Sequence, residues 1–144
     1  MLPHFGPDFG NASSRSHAYG WRAEEAVEQA RLHVGRLLGA ALPTKEIVFA
    51  SGAQECDNLA VKGERRQSMA EGRGDHLITV CTEHKAVVDS ARRMEREGAS
   101  VTWLSVNEQG LIDLDELRQA LQERTAVVSV QRATNETGCV QPRP

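Results

Sequence analysis

The 144-residue sequence predicts an α/β domain in which helices alternate with mostly parallel strands. Short β-branched runs recur between segments whose apolar residues repeat with helical spacing, and those helical segments are long enough to carry the chain back over a sheet. The composition agrees: at 40% hydrophobic with 12 Gly it is that of a chain with a buried core.

Taken in order, Ala23, Ala26, Val27, Ala30, Val34, Leu37 and Leu38 form the stripe of an amphipathic helix beginning after Ser16, and Gly39 is its stop. Pro43 and Thr44 break the chain before Glu46-Ile47-Val48-Phe49-Ala50, which reads as a buried strand. Ser51-Gly52 turns into a helix from Ala53 to about Ala70, ended by Gly72 and Gly74. A second strand, Leu77 to Cys81, leads through Thr82-Glu83-His84-Lys85 into a helix marked by Val87, Val88, Ala91 and Met94 that stops at Gly98. Val101 to Val106 is a third strand and Asn107 to Gly110 a polar turn. Asp113 with Glu116 makes a capping-box pattern before Leu114, Leu117, Ala120 and Leu121. Thr125 to Val130 is a fourth strand, left through the polar loop Ala133 to Gly138.

A net charge of −3 with no basic block, and only 4% aromatic residues, argue against nucleic acid as a partner. No apolar run is long enough for a membrane span and the start lacks a signal-peptide pattern, so the expected location is the cytoplasm. Cys56, Cys81 and Cys139 are odd in number and outside any CxxC, which points to reduced thiols; Cys81, His84 and His76 complete no metal-ligand pattern.

In parallel sheets ligands sit beyond the carboxyl ends of the strands. That rule selects the loops Ser51 to Gln54, Thr82 to Lys85 and Thr134 to Glu136. The first turns through Gly into a helix whose N-terminal N–H groups suit an anion such as phosphate, although a tight turn alone would also use that Gly. His84 is able to stack on a ring or move a proton near neutral pH, but a loop His is also commonly just solvated. Asn135 and Glu136 have the ordinary chemistry of a turn.

The segments FGNASSRSH (residues 9–17), SGAQECDN (51–58), TEHKAV (82–87) and NETG (135–138) stand in an order and spacing that resemble the GNP-S-S/R-x-H, SGATESDN, TEHKAV and NNEIG segments of cysteine desulfurases. The resemblance runs along nearly the whole chain. It implies part of the large domain of a fold-type I, class V aminotransferase-like enzyme that uses pyridoxal 5'-phosphate. The family's reaction converts L-cysteine to L-alanine and passes sulfur, as an enzyme persulfide, to iron–sulfur scaffold proteins or the carriers of tRNA thiolation; family members are typically homodimers. Carried over by position, Ala53 and Gln54 would lie at the cofactor phosphate, His84 would stack on the pyridine ring and act in catalysis, and Asn135 would hydrogen-bond the ring's phenolic oxygen.

The sequence departs from the family at named positions. Gln54 replaces a Thr, Thr134 and Thr137 replace the first Asn and the Ile of NNEIG, and Arg132 is unexpected beside a ring pocket. Lys45, Lys62 and Lys85 are the lysines present, and none matches the one that binds the cofactor covalently. The resemblance therefore implies a single partial domain over 1–144 with non-covalent cofactor contacts, inactive alone. Two alternatives are a fragment of a selenocysteine lyase or other class V aminotransferase, and a non-catalytic remnant that pairs with a full-length desulfurase.

Overall fold

The computed structural model describes residues 2–142. The chain divides into two compact units, Met1–Phe49 and Ala50–Pro144. In the first, α1 spans Ala18–Leu38, and His17 caps it by accepting the Gly20 N–H on Nδ1 at 3.2 Å. The Trp21 indole N–H donates to the Arg15 carbonyl at 2.7 Å, holding the entering chain against the first turn. The helix ends where the sequence predicts, with the N–H groups of Gly39 and Ala40 returning to the carbonyls of Arg36 and Gly35.

The strand expected over Glu46–Ala50 does not form. Pro43–Glu46 is instead a one-turn helix, α2, and residues 47–50 run on without a ladder partner among the described residues. Glu46 is drawn into the helix because its carboxylate accepts the Leu42 N–H at 2.9 Å, satisfying a donor that a helix start otherwise leaves free. The Arg31 guanidinium then donates to the Ile47 carbonyl and lies 5.0 Å from the centre of the Phe49 ring. Side-chain contacts from α1 thus take the place of sheet pairing.

In the second unit, α3 (Ala53–Ala70) leads to β1 (His76–Val80), α4 (Lys85–Arg96), β2 (Ser100–Leu104), α5 (Leu114–Ala120) and β3 (Thr125–Ser129). The strands form one parallel sheet in the order β2-β1-β3, as the alternation predicts. β1 is central and buried along its whole length, because both faces are covered. Leu77 packs with Val61, Val87, Ala91 and Met94 from α3 and α4. Ile78 and Val80 point the other way, to Leu104, Ile112 and the half-buried Leu114 and Leu117 of α5. α3 and α4 are also joined by a hydrogen bond from Ser90 Oγ to Asn58 Oδ1 at 3.1 Å.

The cap of α5 is only half the expected box. Asp113 accepts the N–H groups of Asp115 and Glu116, at 2.7 and 3.4 Å, but the Glu116 carboxylate takes the Ser105 hydroxyl at 3.3 Å, after β2, instead of returning to the cap.

His76 opens β1 fully buried, its ring held between the hydroxyls of Thr125 and Thr102, each at 2.9 Å, on the two neighbouring strands. Thr125 Oγ1 also accepts the Gln122 N–H at 2.9 Å. Burial first, and the Arg124 charge second, hold the imidazole below its ordinary value near 6.5, against a smaller opposing pull from Asp75. Below that ordinary value the unfolded chain takes a proton that the folded chain refuses, so stability is fully present above it and falls as the pH drops through it. The melting temperature is expected to decline between about pH 7.5 and about pH 5.5, a decline that His76→Gln reduces; an unchanged decline in the variant would contradict the assignment.

Candidate functional site

The carboxyl edge of the sheet carries the site. β1 runs into a turn in which the Glu83 N–H donates to the Val80 carbonyl at 3.2 Å, and His84 then caps α4. His84 Nδ1 accepts the Ala86 N–H at 3.2 Å, so the neutral ring carries its proton on Nε2. The ring is solvent-exposed and stands at a wall shared by two cavities.

The first cavity, about 420 Å³, has His84 and Lys85 on one side and Thr134 and Asn135 on the other. Asn135 Oδ1 accepts from Gln131 Nε2 at 3.2 Å, which leaves the Asn135 NH2 as the end offered to a ligand. The second, about 380 Å³, brings His84 together with Ala53, Asp57, Ser129 and Gln131. Gln131 Oε1 is buried there without a hydrogen-bond partner. His84 thus meets Ala53 in one cavity and Asn135 in the other. Gln54 lines neither; it is exposed at the start of α3, its carbonyl taken by Asn58 Nδ2 at 2.7 Å.

At that helix start the Gly52 carbonyl accepts the N–H groups of Glu55 and Cys56, both at 3.1 Å, so the N–H groups of Ala53 and Gln54 precede the helical ladder and have no acceptor within it. The Glu55 carboxylate folds back onto the Ser51 hydroxyl at 2.6 Å and the Ser51 N–H at 2.7 Å, and these bonds hold it below the usual carboxylate range. Lys85 is paired with Asp89 at 2.6 Å on the surface of α4.

The remaining wall is a hairpin-like loop. Ala133 and Val140 form an antiparallel bridge, the Gln141 N–H donates to the Arg132 carbonyl at 3.0 Å, and the Arg132 guanidinium returns to the Gln141 carbonyl. Arg132 is therefore spent on closing this loop and does not line the first cavity. Gln141, 4% exposed, uses both ends of its amide: Nε2 donates to the Gly110 carbonyl at 2.8 Å and Oε1 accepts the Ile112 N–H at 3.0 Å. It fixes Gly110 at the rim of the first cavity.

Sequence reasoning did not single out Glu83, Asp57 or Gln141. Glu83 was readable in principle, as the carboxylate beside the loop His. Gln141 was not, because no periodicity marks an isolated polar residue that is buried by a distant backbone. Gln141→Ala strips partners from a buried N–H and a carbonyl, and is expected to cost about 1–3 kcal/mol. The urea midpoint of unfolding checks this; a midpoint equal to that of the parent chain would contradict it.

The aminotransferase class-V family model matches residues 4–144. The chain belongs to that family. This class-V chain is 56% identical over 142 residues to the cysteine desulfurase IscS of Anaeromyxobacter sp. (strain Fw109-5), an alignment covering 99% of the chain and 34% of the relative. It is 54% identical over 144 residues to cysteine desulfurase IscS of Neisseria meningitidis serogroup A (strain Z2491), covering all of the chain and 35% of the relative. The chain spans about a third of the length of the curated relatives it matches. Among solved structures, a NifS-like protein superposes with a TM-score of 0.87 at 33% identity, over 99% of this chain and 38% of that one. SspA in complex with cysteine superposes with a TM-score of 0.84 at 36% identity, over 97% and 39%. The α/β fold with a parallel sheet is shared with these structures, and the family implies pyridoxal phosphate as cofactor.

Proposed function

We propose that this chain supplies part of the pyridoxal 5'-phosphate site of a cysteine desulfurase, an enzyme that breaks the C–S bond of L-cysteine, releases L-alanine and leaves the sulfur on an enzyme thiolate as a persulfide. The observation that carries this reading is the meeting of His84 with Ala53 in one cavity and with Asn135 in the next, at the carboxyl edge of the sheet. The relatives support it by being cysteine desulfurases along the whole of this chain.

The donor set fits the cofactor. Two N–H groups that precede the ladder of α3 suit a phosphate, the Asn135 NH2 suits a phenolate oxygen, and the exposed His84 imidazole offers a flat face for a ring. When bound, pyridoxal phosphate supplies an electron sink for bond breaking at the amino acid. The protein's part is to hold and orient: Ala53 and Gln54 fix one end, Asn135 the other, and His84 covers the ring and holds a proton on Nε2. Gln54 in place of a hydroxyl residue leaves the backbone to set the phosphate position, with its longer amide adding strength only when turned toward the anion. The iron–sulfur and tRNA-thiolation destinations of the sulfur, a homodimeric assembly and a cytoplasmic location follow from the same reading.

The test is a protein completed with the carboxyl-terminal portion of a cysteine desulfurase and supplied with L-cysteine. Equal release of alanine and sulfide to a reductant, above a free-cofactor control, is expected. Selective release of selenide from selenocysteine, with cysteine untouched, would replace this reading with that of a selenocysteine lyase.

A further inference from the structure

Glu83 links the loop after β1 to the end of β3. One carboxylate oxygen accepts the hydroxyl of Ser129 at 3.1 Å, and the other accepts the backbone N–H of His84 at 3.0 Å. Ser129 is the last residue of β3 and pairs with Thr79 of β1, so the carboxylate ties the loop after β1 to the end of the neighbouring strand. Every hydrogen-bonding group of His84 but one is engaged. Its N–H goes to Glu83, its carbonyl accepts the N–H groups of Val87 and Val88 at 2.9 and 3.1 Å, and its Nδ1 takes the Ala86 N–H. Nε2 is the nitrogen left over, at the wall shared by the two cavities.

We propose that Glu83 is the positioning residue of this site: by bridging Ser129 to the His84 backbone it fixes His84, and with it the imidazole, in one orientation before any ligand arrives. The proposal rests on the reading of His84 as a cofactor contact only for its consequence, since the bridge itself belongs to the fold. A brace of this kind lowers the ordering cost of binding, because the ring is already where it is needed. An amide in place of the carboxylate preserves the bridge, with its oxygen accepting from His84 and its NH2 donating to Ser129 Oγ. A methyl group destroys it.

The test uses the full chain with 15N-labelled histidine and the variants Glu83→Gln, Glu83→Ala, Ser129→Ala and His84→Ala. The ring 15N shifts and relaxation of His84 are expected to show one ordered Nε2–H ring in the parent and in Glu83→Gln, and an averaged, mobile ring in Glu83→Ala and Ser129→Ala. Ser129→Ala removes a single hydroxyl and keeps the comparison usable if Glu83→Ala does not fold. Pyridoxamine 5'-phosphate is the binding probe, because it carries the phosphate and phenolic oxygen without an aldehyde to react with surface lysines. Its affinity is expected to fall about three- to tenfold in His84→Ala, Glu83→Ala and Ser129→Ala, and to recover in Glu83→Gln. An ordered ring in both Glu83→Ala and Ser129→Ala would overturn the proposal. A ring that loosens as expected while His84→Ala leaves the probe's affinity intact would uphold the brace and overturn the cofactor role of His84.

Discussion

Replacing His84 by Ala in the completed enzyme is expected to lower sulfide release from L-cysteine by about a hundredfold or more, the range seen when a positioned proton-transfer group is removed. Cofactor affinity falls much less, about three- to tenfold, because stacking of one aromatic ring is worth roughly 0.5–1.5 kcal/mol. The split follows from the proposed reading: the α3 N-terminus and Asn135 would hold the ends of the cofactor without His84, whereas proton transfer would lose the Nε2–H at the wall shared by the two cavities. Initial rates at saturating cofactor, beside cofactor content after dialysis, separate the two effects. Loss of both in equal measure would mean that His84 does no more than bind.

Gly74→Ala is expected to be the most damaging single methyl in the second unit. A Cβ there would stand 2.2 Å from the Arg124 carbonyl oxygen and 2.6 Å from its carbon, on a backbone with φ of +140° that side chains rarely adopt. That carbonyl already accepts the His76 N–H at 3.1 Å, at the point where β1 and β3 come into register, so neither backbone is free to yield. Forcing atoms into a packed backbone costs about 1–3 kcal/mol or more, with the φ strain added. Gly72→Ala is the control, since its Cβ meets nothing within 4 Å and only the positive φ opposes it. Denaturation midpoints should place Gly74→Ala well below Gly72→Ala; equal midpoints would show that the 74–76 backbone shifts freely.

The elements legible in the sequence were those marked by a local pattern. α1 and α4 carry apolar residues at helical spacing, α3 lies between Gly52 and Gly72, and β1, β2 and β3 are short runs bounded by Gly or polar turns, so each emerged within about two residues of its observed ends. The failures are instructive. Glu46–Ala50 has strand composition, but a strand also needs a neighbour to pair with, and Glu46 found a nearer donor in the Leu42 N–H. The reciprocal half of the Asp113–Glu116 box was lost in the same way, to the hydroxyl of Ser105. Local patterns give the candidates, and the hydrogen-bond partners actually within reach choose among them.

The site divides along the same line. His84 and Asn135 were legible because the rule about strand ends points to their loops, and the motif resemblance added roles to them. Their supports were not. Gln141 serves Gly110 and Ile112 from about thirty residues away and leaves no local signal, and the bond of Glu83 to Ser129 on the neighbouring strand is invisible in the stretch around His84.

On the proposed reading, the loops gathered around His84 receive a pyridine phosphate. Its most direct test is an amide-resolved NMR titration of the chain with pyridoxamine 5'-phosphate. Saturable shifts at Ala53, Gln54, His84 and Asn135, with His76 at the opposite end of β1 unmoved, are the predicted result. Saturation that leaves these four residues unmoved, or shifts confined to other surfaces, would contradict it.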